Sequence, residues 1–205
     1  MNIDLFGNIV DQKKFTSTQK LSIRQTNFEG RDLYTTEPKD IKRFLDALKE
    51  DGLVIPSPIW EPAAGFGDIS KTLIKYGYEV KSSDLYCYQD DLIKIIEADF
   101  FVCSKNENCK TIFTNPPFNM QEKFLLHALS MNIDVIFFVR LNFLSSIRRY
   151  KIYQTYKPAY VYIYSARAHC YKNGEKTGKT DNMIDYCLIW WKPPYRNEPI
   201  LRWIV

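Results

Sequence analysis

The chain has 205 residues, enough for one α/β domain with a buried core, or one domain plus a small appendage, and its 45% hydrophobic and 25% charged residues are ordinary for a soluble globular protein. Five cysteines without a CxxC pair and only two histidines argue against a disulfide framework or a zinc site, and no apolar run approaches the roughly 20 residues that span a bilayer, so a reducing cytoplasm, no metal and no membrane are expected. The net charge of +4 hides an asymmetry: from Arg140 to Asp181 nine Lys/Arg face two acids, a net +7, and the rest of the chain sums to −3.

Residues 1–33 are polar and mixed, and read as an N-terminal arm ahead of a single domain over residues 34–205. At Tyr34-Thr35-Thr36-Glu37-Pro38 a helix is expected to start, with Pro38 in its first turn and Ile41, Phe44, Leu45 and Leu48 on one face up to Gly52. Pro58 to Glu61 reads as a short strand entering a glycine loop. Ile69 to Tyr76 follows as a helix with Ile69, Leu73 and Ile74 inward. Glu79 to Ser83 is strand-like and stops at Asp84, and Asp91 to Glu97 fits either a short helix or an extended piece. Thr111 to Thr114 reads as a buried strand, Gln121 to Met131 as a helix, Asp134 to Val139 as an apolar strand and Phe143 to Tyr156 as a helix. Tyr160 to Tyr164 and Tyr186 to Trp191 are strand-like, with a long polar loop between them, and Trp190, Trp191 and Trp203 read as packing residues. The alternation predicts a mostly parallel central sheet with helices on both faces, and such sheets bind ligands outside the carboxyl ends of their strands.

The unusual residues lie at those strand ends. In Glu61-Pro62-Ala63-Ala64-Gly65-Phe66-Gly67-Asp68, Gly65 and Gly67 permit a tight turn and a close backbone approach. A purely structural turn has the same glycines. Ser70 stands where a dinucleotide fingerprint has its third glycine, and the acids Glu61 and Asp68 suit a cationic ligand better than a pyrophosphate. Asp84 closes the next strand about twenty residues on, the place of a ribose-binding acid, although turns also favour Asp. Asp99 and Phe100 are a weaker pair, suited to an adenine amino group and ring. Asn115-Pro116-Pro117-Phe118 is the most informative segment. Two prolines after a buried strand remove N–H donors and leave the Asn115 side-chain oxygen and the Pro116 carbonyl as acceptors. An exocyclic amino group held between them has its lone pair aimed at an electrophile, and Phe118 offers a face for a flipped base.

In this order the motifs resemble the class I S-adenosylmethionine-dependent methyltransferases, in particular the small, phage-type adenine-N6 DNA methyltransferases with an (Asn/Asp)-Pro-Pro-aromatic motif. The resemblance covers residues 31–191 and implies a Rossmann-like class I methyltransferase fold. It implies S-adenosylmethionine as cofactor, held by Tyr34, Thr35, Glu61, Ala63, Gly65, Gly67 and Asp84, with Asp99 and Phe100 at its adenine. It implies catalysis at Asn115, Pro116, Pro117 and Phe118, by in-line displacement of the methyl group onto N6 of adenine in DNA. Phe118 stands where Tyr or Trp is commoner, and Thr36-Glu37 interrupt a Thr-Pro. No separate target-recognition domain is visible, so Arg140, Asn142, Arg148, Arg149, Lys151, Lys172, Lys176 and Lys179 are the expected nucleic-acid contacts. RNA is the competing acceptor, and a catalytically silent nucleic-acid-binding module is the competing class. Phe143 fits a pocket wall or the core equally, and His127 reads as structural. The motifs specify no oligomeric state.

Overall fold

In the computed structural model the described residues are 2–3, 9–10, 33–86, 92–103, 108–174, 184–195 and 198–205. In chain order the elements are β1 (Asn2–Ile3), β2 (Ile9–Val10), β3 (Tyr34–Thr36), α1 (Pro38–Glu50), β4 (Ile59–Glu61), α2 (Asp68–Lys75), β5 (Val80–Asp84) and β6 (Ile95–Glu97). Then come β7 (Thr111–Thr114), α3 (Gln121–Ser130), β8 (Asp134–Arg140), α4 (Ile147–Thr155), β9 (Tyr160–Tyr164), β10 (Cys170–Lys172), β11 (Tyr186–Trp191) and β12 (Ile200–Ile204).

Eight strands form one sheet in the order β12-β9-β11-β8-β7-β4-β5-β6. Neighbours are parallel except at β11, which runs antiparallel to both β8 and β9. The chain enters at β4, winds outward through β5 and β6, then crosses back to β7 and β8 on the other side of β4. That doubly wound path is Rossmann-like, as expected, and its reversal lies between β4 and β7, where open parallel sheets leave a crevice at their carboxyl edge.

Both faces are covered because the inner strands alternate between two cores. On β8, Val135, Phe137 and Val139 pack with α3 and α4 on one face, and Ile136 and Phe138 pack with α1 and α2 on the other. On β11, Cys187, Ile189 and Trp191 join the first core, and Leu188 and Trp190 the second. A strand buried on both faces has no polar side to display, which is why these segments read as unbroken apolar runs. Helix α1 buries Ile41, Phe44, Leu45 and Leu48 at the predicted helical spacing. Each such side chain contributes about 1.5–3 kcal/mol on burial.

The register of antiparallel β11 is pinned at one end by Asp134. Its Oδ2 accepts from Trp190 Nε1 at 2.9 Å and from Lys192 Nζ at 2.8 Å.

One open reading is settled and four expectations change. Asp91 to Glu97 contains an extended edge strand, β6, and Asp91 itself lies outside the described residues. The long loop after β9 contains β10, which pairs antiparallel with β3 in a separate two-stranded sheet. The single helix expected from Phe143 is split: a 3₁₀ turn covers Leu141–Leu144, and α4 begins after the Ser146 side chain caps Arg148 N–H. Trp203 is 65% exposed, because it lies on β12, which has a neighbour on one side only. On α2, Ile74 is exposed, since one residue past Leu73 the helix has already turned toward solvent. Among the described residues no helix is long and apolar enough to cross a membrane.

Candidate active site

The carboxyl ends of β4 and β7 meet at a cleft of about 230 Å³ including its open mouth. Tyr34, Thr35 and Thr36 form one wall, the loop from Glu61 to Asp68 the other, and Asn115 its floor. Of the expected cofactor residues, Tyr34, Thr35, Glu61, Ala63 and Gly65 therefore come together around one cavity with Asn115. Thr36, Ala64, Phe66 and Asp68 line it too.

The glycine loop is built by close packing. Gly65 has φ +53° and Gly67 has φ +75°, both in the left-handed region. A Cβ on Gly65 would stand 2.8 Å from Leu33 Cδ1, and one on Gly67 would collide with Ile93 Cδ1. Gly67 is the N-cap of α2 and has no side chain to cap with. Glu61 supplies that contact from the preceding strand: its Oε2 accepts from Ser70 N at 2.8 Å and from the Ser70 hydroxyl. Ser70 Oγ in turn meets Ser82 Oγ at 2.6 Å, joining α2 to β5.

Glu61 is 1% exposed. Burial pushes its carboxyl well above the ordinary value of 4.5, the Ser70 hydrogen bonds oppose that, and the nearby Asp68 and Asp84 add to it. Glu61 thus holds its proton in the folded chain at pH values where the unfolded chain has released it. The resulting penalty is absent below about 4.5 and grows as pH rises toward the folded pKa. Glu61→Gln keeps an acceptor for Ser70 and removes the titration. The variant should match the parent near pH 4 and gain stability over it as pH rises, read as the difference in urea midpoint across the range. A constant difference would remove the assignment.

Asp84, at the end of β5, accepts from Gly65 N–H at Oδ2 (2.8 Å) and from Tyr86 N–H at Oδ1 (3.0 Å). The acid expected at the second strand end is therefore joined to the glycine loop directly. Asp99 and Phe100 are not brought to the cleft. Asp99 Oδ1 caps its own 3₁₀ turn by accepting from Phe101 N–H at 2.9 Å. Phe100 is 3% exposed, stacked on Phe124 at 4.7 Å and edge-on to Trp60 and His127. In a chain this rich in aromatics, that ring belongs to the core. His127 is structural as read, with Nε2 3.1 Å from the Cys103 carbonyl oxygen.

At the end of β7, Asn115 and Pro116 are buried, and Pro117 and Phe118 partly so. The Asn115 amide nitrogen donates toward Thr36 Oγ1 at 3.1 Å, the Tyr34 carbonyl at 3.4 Å and Cys170 Sγ at 3.6 Å. Its Oδ1 is buried with no hydrogen-bond partner. A buried carbonyl oxygen without a donor costs about 1–3 kcal/mol and marks a place where a donor is missing.

Phe118 is not the bare stacking platform the sequence suggested. The Tyr34 ring lies 4.4 Å from it, and the Arg140 guanidinium carbon lies 4.2 Å from its centroid. Arg140 Nε is buried without a hydrogen-bond partner. Phe143, 2% exposed, is core rather than pocket wall. Arg149 is committed inside the chain: Nε donates to the Phe143 carbonyl at 2.7 Å, Nη2 to the Asn142 carbonyl at 3.2 Å, and the guanidinium covers the Phe143 ring. These contacts hold the 3₁₀ turn against α4, and Arg149 stays partly exposed. Asn142, Arg148, Lys151 and Lys172 are exposed. Lys176 and Lys179 lie outside the described residues.

No family model matches the sequence, and no curated protein matches it. Among solved structures, one from Listeria monocytogenes, whose description proposes a class I S-adenosylmethionine-dependent methyltransferase, superposes with a TM-score of 0.48 at 12% identity. The match covers 81% of this chain and 65% of that one, so the chain spans just under two thirds of that neighbour's length. A likeness of this degree assigns neither residue nor activity here.

Proposed function

We propose that the chain is an S-adenosylmethionine-dependent methyltransferase that modifies the N6 amino group of adenine in DNA. The observation that carries the reading is Asn115 Oδ1, a buried acceptor without a donor at the cleft between β4 and β7. An exocyclic amino group is a donor of the missing kind. With Oδ1 and the Pro116 carbonyl each taking one of its hydrogens, the nitrogen lone pair is directed away from the protein and toward the methyl source.

The cleft residues fit the cofactor. Its ammonium group suits the acid Asp68, its ribose hydroxyls suit Asp84, and its chain needs the close approach that Gly65 permits. S-adenosylmethionine supplies an electrophilic methyl group on a good leaving group. The chain's own part is positioning and acceptor geometry, and it needs no nucleophilic Cys or His. Three of the four described cysteines fit this: Cys109, Cys170 and Cys187 are held as neutral thiols by burial, with pKa values pushed up to about 11, 12 and 12.

Phe118 and Arg140 form the other side of the acceptor site. A guanidinium plane stacks bases as an aromatic ring does, so a flipped adenine has both surfaces available in one step of side-chain movement. The exposed Arg148 and Lys151 on α4, with Lys172 on β10, are the proposed phosphate contacts. Arg148→Ala with Lys151→Ala should weaken DNA binding and reduce the slope of log affinity against log salt by roughly two. An unchanged slope removes α4 from the interface.

The test of the reading is methyl transfer from labelled S-adenosylmethionine to unmethylated DNA, RNA and protein in parallel, with nucleoside analysis of the product. N6-methyladenine in DNA is expected. Label confined to RNA or protein overturns the acceptor, and no label in any of the three overturns the activity.

A further inference from the structure

The Asn115 amide has two orientations related by a half-turn, and in the one observed its nitrogen is engaged and its oxygen is left without a partner. What selects between them lies outside the Asn-Pro-Pro-Phe segment. Thr36 on β3 and Cys170 on β10 are directly opposed in the two-stranded sheet, so their side chains share one face of it. Both point at Asn115 Nδ2, at 3.1 Å for Thr36 Oγ1 and 3.6 Å for Cys170 Sγ. The third contact, the Tyr34 carbonyl at 3.4 Å, is an acceptor only and makes the selection, because an amide turned the other way would set oxygen against oxygen, whereas the Thr36 hydroxyl and the Cys170 thiol can accept or donate and add to the hold on the amide. The sulfur is itself held in place: the Tyr186 hydroxyl on β11 and the Thr36 hydroxyl lie against it. β10 is anchored from α1, where the fully buried Asp40 accepts from His169 N–H at 2.7 Å, and the Glu37 N–H donates to the His169 carbonyl at 3.2 Å.

We propose that Thr36 and Cys170 are positioning residues, which clamp the Asn115 amide in the orientation that the Tyr34 carbonyl selects, with its nitrogen engaged and its oxygen left without a partner in the chain. They act through Asn115 and touch neither substrate nor cofactor in doing so. This rests on the methyltransferase reading for its effect on turnover. The orientation itself is a property of the chain alone.

The test uses the full chain with Thr36→Val, Cys170→Ala and the pair together, beside Thr36→Ser and Cys170→Ser, which restore an acceptor. Each single removal should lower kcat on DNA about tenfold and the pair about a hundredfold, as misplacement of a reacting group by a fraction of an ångström to an ångström does. KM and the dissociation constant for S-adenosylmethionine should stay within about twofold, and the serine variants should return most of the lost kcat. A merely structural role would instead lower melting temperature and ligand affinity together, without rescue by serine. Full kcat in Thr36→Val and Cys170→Ala, with Asn115→Ala inactive, overturns the proposal and leaves the functional reading standing.

A second readout needs no turnover. In the nitrogen-15-labelled chain, the Asn115 side-chain amide protons, assigned by their loss in Asn115→Asp, should exchange slowly in the parent and in the serine variants. They should exchange fast in Thr36→Val and Cys170→Ala. Unchanged exchange overturns the proposal even where no methyl acceptor is found. Should Thr36→Val fail to fold, Cys170→Ala against Cys170→Ser decides by the same criterion.

Discussion

Asn115→Ala is expected to lower kcat by about 10²–10³-fold, the usual loss when one aimed hydrogen-bonding group is taken from a reacting centre. S-adenosylmethionine affinity should change little, because Gly65, Asp68 and Asp84 are untouched. The free chain should lose little stability, since Asn115 Oδ1 has no partner to lose and its removal ends the cost of burying a bare acceptor. The same substitution releases Thr36 Oγ1 and Cys170 Sγ from their donor, a small loss of opposite sign. The combination of near-normal melting temperature, near-normal ligand affinity and collapsed turnover distinguishes a reacting-site residue from a turn residue. Full activity in Asn115→Ala would end the functional reading, whatever the fold.

Gly65→Val should have the largest effect on the folded state. A β-branched residue at φ +53° carries strain on the order of 1–3 kcal/mol, and the Leu33 side chain, whose Cδ1 lies 2.8 Å from the Cβ position, must also move aside. Relaxing either contact moves Gly65 N–H off Asp84 Oδ2, so the loop and the second strand end separate together. The expected result is a stability loss of about 1–3 kcal/mol by urea denaturation, with loss of the thermal shift that S-adenosylmethionine produces in the parent. An unchanged denaturation midpoint would show that Leu33 does not hold the loop, and a retained ligand shift would move the cofactor elsewhere.

The central sheet was legible because β7, β8 and β11 are buried on both faces and so appear as runs of apolar residues with turn chemistry at their ends. The glycine loop and the Asn-Pro-Pro turn were legible because backbone conformations of that kind restrict residue type. β10 left no such trace. Cys170-Tyr171-Lys172 is too short for a periodicity, and its pairing with β3 is set by Asp40 and His169 rather than by any pattern within the strand. Phe100 and Arg149 have intrachain partners that the sequence did not reveal, for one reason. Residue type shows that a ring or a cation can stack, and says nothing of which partner reaches it first. Phe124 reached Phe100, and Phe143 reached Arg149. β12 went unnoticed because an edge strand leaves Leu201 and Trp203 in solvent, without the alternation of a half-buried strand. The Thr36 and Cys170 contacts with Asn115 join residues 79 and 55 positions away in the chain, and no local pattern encodes them.

The antiparallel pairing of β3 with β10 also closes late in synthesis. A nascent chain that has emerged as far as Arg140 already contains the glycine loop, Asp84 and the Asn-Pro-Pro-Phe turn, every segment by which a reader would recognise it. The sulfur that completes the cage around the Asn115 amide arrives thirty residues later, and the Tyr186 hydroxyl behind it later still. Recognisable motif and working geometry are therefore separated in time on the ribosome, and a fragment ending between them would have the signature without the site.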